Sequence, residues 1–115
     1  MPKKSTTVED AAARSVAGPT EGWILSTSTT TAYLDLSSMA GRYVTLYADA
    51  AVHLVAFGTT NSFSLVKTAT GGTKTAAAAY KIPAGTHIHL VVPRGYTFLA
   101  YEASTGTDLL RVHPS

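Results

Sequence analysis

From Trp23 onward, apolar residues recur at every second position. Ala32, Leu34 and Leu36 alternate with Tyr33 and Asp35. Val44, Leu46 and Ala48 share one side of residues 42–48, and Tyr43, Thr45 and Tyr47 share the other. Val52, Leu54 and Ala56 alternate with His53, Val55 and Phe57, and Ile88, Leu90 and Val92 alternate with His87, His89 and Val91. The same beat runs through residues 98–102 and 109–113. A period of two is that of half-buried strands. Turn residues punctuate the runs at 37–41, 48–50, 58–61, 70–73, 83–85, 93–95 and 104–107, where Gly, Pro, Ser and Asp favour reversals. The pattern predicts an all-β fold: an antiparallel β-sandwich, jelly-roll or Ig-like, of eight or nine strands. Its expected core is Leu34, Leu36, Val44, Leu46, Val52, Leu54, Ile88, Leu90, Leu99 and Val112. Ala76 to Ala79 favours helix by propensity, but Thr75 before it and Tyr80-Lys81-Ile82 after it make it a strand in this reading.

Residues 1–22 break the pattern. They carry six charges that cancel and almost no aromatic or β-branched bulk. Thr6 with Glu9 fits a capping box, Val8 to Val16 has room for two helical turns, and Gly18-Pro19 ends them. A helix that short is marginal by itself. The expected organisation is an N-terminal arm at 1–22, either a disordered terminus or a segment that orders on a neighbouring subunit, ahead of a sandwich domain at 23–115.

Composition narrows the function. There is no Cys, so disulfides and thiolate metal sites do not arise. Charged residues make up 14% of the chain, against about 25% in ordinary soluble domains. Thr and Ala, 18 of each, take their place. A surface so weakly charged points to coverage by further copies or by a partner. The net charge of +2 comes from scattered Lys and Arg, of which only Lys3 and Lys4 are adjacent. That is neither a basic stripe nor a nucleic-acid-binding motif. The polar run from Ser5 to Arg14 does not fit a signal peptide, and no stretch approaches the roughly 18 apolar residues of a membrane span. The expectation is synthesis in the cytoplasm, with neither nucleic acid nor membrane as a partner.

Candidate chemistry is sparse. His87 and His89, at i and i+2, put two imidazoles on one strand face, where they could share a metal. Their segment, Pro83-Ala-Gly-Thr-His-Ile-His89, resembles cupins in its His-x-His pair. That family places a Gly several residues before the pair and a Glu a few after it. Here Gly85 is two before His87 and the next acid is Glu102. The competing reading has both rings facing solvent or a subunit interface. No metal or cofactor is expected. His53 has Ser and Asp residues to pair with, but no Gly-x-Ser-x-Gly elbow marks a nucleophile. Gly71-Gly72 lacks the Lys-Ser/Thr of a phosphate loop and reads as a turn. Trp23 with Tyr33, Tyr43, Tyr47, Tyr80, Tyr96 and Tyr101 could form a sugar-stacking platform or a second layer of the sandwich.

The order of segments carries a resemblance. Gly41-Arg-Tyr-Val-Thr-Leu-Tyr-Ala-Asp49 leads to Val52-His-Leu-Val-Ala-Phe-Gly58. A Thr/Ala-rich stretch follows, then Ile82-Pro-Ala-Gly85, Pro93-Arg-Gly-Tyr-Thr-Phe-Leu-Ala-Tyr101 and Gly106-Thr-Asp-Leu-Leu-Arg-Val112. Over residues 32–113 this layout resembles the small β-sandwich virion proteins of tailed bacteriophages, among them capsid decoration, or cement, proteins. The resemblance implies a non-enzymatic structural protein on the virion capsid surface, made in the host cytoplasm. It would bridge neighbouring subunits of the major capsid protein as a homotrimer. The expected contacts are the arm, through Lys3, Lys4 and Arg14, and one open end of the sandwich. A carbohydrate-binding or adhesion module of a virion and a head-tail or tail structural protein are the alternatives. Deleting residues 2–18 is expected to leave the melting midpoint of the isolated domain unchanged while weakening assembly. Collapse of the fold in a thermal melt would make the arm part of the core.

Overall fold

The computed structural model describes residues 21–69 and 71–114. The capping box, the expected turns at 8–16 and Lys3, Lys4 and Arg14 lie outside the described residues. Eight strands follow in order: β1 (Trp23–Thr27), β2 (Ala32–Asp35), β3 (Tyr43–Ala48), β4 (His53–Gly58), β5 (Tyr80–Ile82), β6 (His87–Val91), β7 (Phe98–Ala103) and β8 (Asp108–Pro114). They form two four-stranded sheets. Sheet A has the order β1-β8-β3-β6 and sheet B the order β2-β7-β4-β5. Every pairing between strands is antiparallel. The pairs β1·β8, β2·β7, β3·β6 and β4·β5 are nested, as when one long hairpin is rolled up across two sheets. That is the jelly-roll order, so of the two sandwich topologies expected, the Ig-like one is set aside.

The core lies between the sheets. Sheet A contributes Val44, Leu46, Ala48, Leu110 and Val112, and sheet B contributes Val55, Ile82, Leu99 and Tyr101. Trp23, Leu25, Leu34, Ile88 and Leu90 pack around them, partly buried. The alternation read from the sequence therefore places β3, β6, β7 and β8 with the correct face inward.

Strand β4 is a correction. Val52 and Leu54 were expected in the core, yet His53 and Val55 are the inaccessible residues and Leu54 is half-buried. Leu54 stands opposite Glu102 and Lys81 on the other face of sheet B. A slip of one residue exchanges the faces of a strand. Periodicity could not place this one, because β4 is apolar on both faces. The cause is a third layer. Between β4 and β5, the described residues 59–69 and 71–79 fold back over the outer face of sheet B. Phe63 meets Tyr33 edge-on with ring centres 5.4 Å apart. The Tyr33 hydroxyl donates to the Phe63 carbonyl and accepts from the Phe63 amide. Gly58 makes room, since a Cβ there would collide with the Phe63 ring. Lys67 Nζ lies 2.9 Å from Glu102 Oε2, and the Thr31 hydroxyl donates to Oε1 at 2.7 Å. Leu65, Ala100 and Glu102 are buried.

Ala76 to Ala79 is the second correction. It belongs to this cover rather than to a strand, and pairing in sheet B starts only at Tyr80. Its backbone instead bonds to Val66: the Val66 amide donates to Ala77 O and the Ala79 amide to Val66 O, each at 2.9 Å. Ala77 adopts φ +59°, a left-handed conformation that ends any extended run. Gly71 and Gly72, at φ +70° and +88°, make the reversal expected of them.

Replacing Leu46 with Ala is expected to cost about 2–5 kcal/mol in urea unfolding. Val55→Ala should cost more than Val52→Ala, and the reverse order would return β4 to the other face.

Candidate functional site

The two outer faces of the sandwich differ. Sheet B is roofed by residues 59–69 and 71–79, while sheet A has no such cover among the described residues. Register puts Tyr43, Thr45 and Tyr47 of β3 beside Val91, His89 and His87 of β6. On the other side of β3, Thr45 and Tyr47 stand beside His113 and Arg111 of β8. Ile24 of β1 stands beside Arg111. Ile24 is 62% exposed, Tyr43 60% and Val91 43%. The strand positions of this face carry one Arg, three His and no carboxylate. It is an apolar and aromatic surface with donors for an electron-rich partner, and it is the candidate functional site.

The sequence-predicted residues distribute unevenly. His87 and His89 are exposed on this face, alternating with the inward Ile88 and Leu90. Glu102, the nearest acid downstream, lies on the outer face of the opposite sheet, bonded to Lys67 and Thr31. It is not placed as a third ligand. The aromatic platform does not assemble. Tyr43 and Tyr47 share the bare face, whereas Tyr33 lies under the cover, Tyr101 is in the core, Trp23 packs inward and Tyr80 and Tyr96 stand elsewhere. His113 is tucked below Gly22, and its buried Nδ1 has no hydrogen-bond partner among the described residues.

A second constellation escaped the sequence reading. His53 is completely buried. Its Nδ1 is 2.9 Å from Ala51 O, and its Nε2 is 2.8 Å from the Thr27 hydroxyl. A carbonyl can only accept, so Nδ1 carries a proton, and in the neutral ring Nε2 accepts from Thr27. Asp108 Oδ2 lies 4.0 Å from Nδ1. It accepts the Ala50 and Ala51 amides at 2.9 and 2.8 Å. The order hydroxyl, imidazole, carboxylate is that of nucleophilic catalysts. Here, however, the Nδ1 proton goes to a backbone carbonyl and Thr27 is 4% exposed, out of reach of a substrate carbonyl. A depression beside it is lined by Ser26, Thr27, Ser28, Thr107, Asp108 and Leu109, while the Thr27 hydroxyl itself is engaged by His53. The group works as a lash: β4 of sheet B is tied through His53 to β1 of sheet A, and Asp108 of β8 pins the turn before β4. Placing His53 outward, as the alternation of β4 implied, hid it. A lone His inside an apolar run, with an Asp opening a distant strand, was the available signal.

Fold and surface together define an eight-stranded jelly-roll module with one roofed and one bare face. No protein-family profile, curated protein or solved structure matches this chain.

Burial alone would raise the Asp108 carboxyl. The amides of Ala51, Ala50 and Leu109, with His53 nearby, outweigh it and hold the group below its ordinary value of 3.8. A lowered carboxyl stabilises the fold above its unfolded value, and that contribution is lost as pH falls through the folded one. Asp108→Asn is therefore expected to cost about 1–3 kcal/mol near neutral pH, measured by urea unfolding. The gap from wild type should close below pH 3.8. A gap unchanged at low pH would contradict the ionised carboxylate as its source.

Proposed function

We propose that this chain is a structural virion protein of a tailed phage, which decorates the capsid and stabilises it by bridging neighbouring major capsid subunits. It acts as a homotrimer and without catalysis. The observation that carries this reading is the bare outer face of sheet A, where Ile24, Tyr43 and Val91 stay exposed in a chain with few charges to solvate them. An exposed apolar patch rimmed by polar groups is the mark of a surface that meets a partner. The jelly roll supports the reading as an analogy of fold, since capsid proteins use it, although lectins use it too. The segment order that resembles cement proteins falls on the strands themselves: residues 41–49 contain β3, 52–58 contain β4, and 98–101 and 108–112 lie in β7 and β8.

Mechanically, such a protein clamps. A standard interface buries about 1,600 Å² in total, and three linked copies raise avidity far above a single contact. The bare face would lie on the lattice, with Lys3, Lys4 and Arg14 of the arm reaching acidic residues of adjoining subunits. Ion pairs of that exposed kind add little individually, so burial is the main term. This surface replaces the open end of the sandwich as the proposed contact.

Particles prepared with and without the protein provide the test. The chain is expected to sediment with capsids and to raise the temperature at which DNA is released. Failure to sediment with capsids refutes the proposal. Binding with no change in release temperature refutes stabilisation and favours an adhesion or glycan-binding role.

A further inference from the structure

The bare face holds a second arrangement, independent of any capsid. His87 and His89 stand side by side on β6 with ring centres 5.3 Å apart and planes at 73°. An imidazole nitrogen bound to Zn²⁺ at about 2.0–2.1 Å puts its ring centre about 3.2 Å from the ion, so two rings at a tetrahedral angle sit about 5.2 Å apart. The observed spacing already matches. The second observation concerns tautomer. Thr45 lies directly opposite His89 in the β3–β6 ladder, and its Oγ1 is 2.8 Å from His89 Nδ1. Metal-bound histidines characteristically give their other ring N–H to an acceptor, which fixes the ring and leaves the remaining nitrogen free to ligate. In the tautomer whose Nδ1–H donates to Thr45, the Nε2 lone pair of His89 is free to ligate. Thr45 is β-branched and stiff at χ1, so it holds that geometry. Neither β6 nor the stretch of β3 facing it carries a Lys or Arg that would repel a cation.

We propose that His87 and His89 form a bidentate, open site for a divalent transition metal of borderline softness, Zn²⁺ being the representative, with Thr45 as the positioning residue of His89. Among the described residues no cluster of three His, Cys, Asp or Glu could hold an ion. Water therefore completes the coordination shell in the isolated protein. Two neutral imidazoles select against Mg²⁺ and Ca²⁺, which require oxygen ligands.

The test is calorimetric titration of the full chain with Zn²⁺ at neutral pH, with Mg²⁺ as the control ion. One equivalent of Zn²⁺ is expected to bind and Mg²⁺ to give no heat. His87→Ala and His89→Ala should each weaken Zn²⁺ binding by about tenfold or more, because chelation is lost. Thr45→Val should weaken it by about tenfold and Thr45→Ser restore it, as for other partners of metal ligands. His87, His89 and Thr45 lie on the outer face of sheet A, and a circular dichroism spectrum identical to wild type keeps each comparison valid. Absence of saturable Zn²⁺ binding, or binding that survives the double replacement of His87 and His89, overturns the site. Equal affinity in wild type and Thr45→Val overturns the role of Thr45.

Discussion

Strand β7 presents Leu99, Tyr101 and Ala103 to the interior and Ala100 and Glu102 to the other side, and all five are buried. A strand buried on both faces needs two covers. Sheet A supplies one. The other must come from the chain itself, and residues 59–69 and 71–79 supply it. The Tyr33–Phe63 clasp and the Lys67–Glu102–Thr31 bonds hold that roof down. A buried carboxylate is tolerable only when paired and hydrogen-bonded, and Glu102 has both. Once sheet B is roofed, the asymmetry of the molecule follows. One outer face is covered by its own chain, and the other has no such cover among the described residues.

The lash through His53 complements this arrangement. A jelly roll joins its two sheets mainly by non-directional apolar contact, which leaves their relative position weakly specified. The Thr27–His53 bond crosses from one sheet to the other, and Asp108 holds the backbone that presents His53. Every polar atom of the group has a partner, which is what permits its burial. The result is a rigid platform for the bare face, with its strands held in fixed register.

Strands with a single buried face were legible in the sequence. Val44 and Leu46, Leu110 and Val112, and Ile88 between two histidines all obey the two-residue beat. The beat fails in β4, which is apolar on both faces: it reads equally well with Leu54 or Val55 inward, and only the roof decides. Ala76 to Ala79 was illegible for a related reason, since small residues suit close approach of layers but do not say which layer they belong to. The His53 lash joins residues far apart in sequence through side chains, and no local pattern encodes that. The surface histidines were legible as a pair. Thr45, which orients one of them, became visible only with the β3–β6 register.

The central claim is that the bare face of sheet A is the surface this protein uses. Hydroxyl-radical footprinting of the full chain, free and assembled on capsids, reads side-chain accessibility at that face directly. The account predicts that Ile24, Tyr43 and Val91 are labelled in the free chain and protected on assembly, while Tyr96, exposed on the loop between β6 and β7, stays labelled. Equal labelling of Tyr43 in both states, with protection falling on residues 59–79 instead, would contradict it.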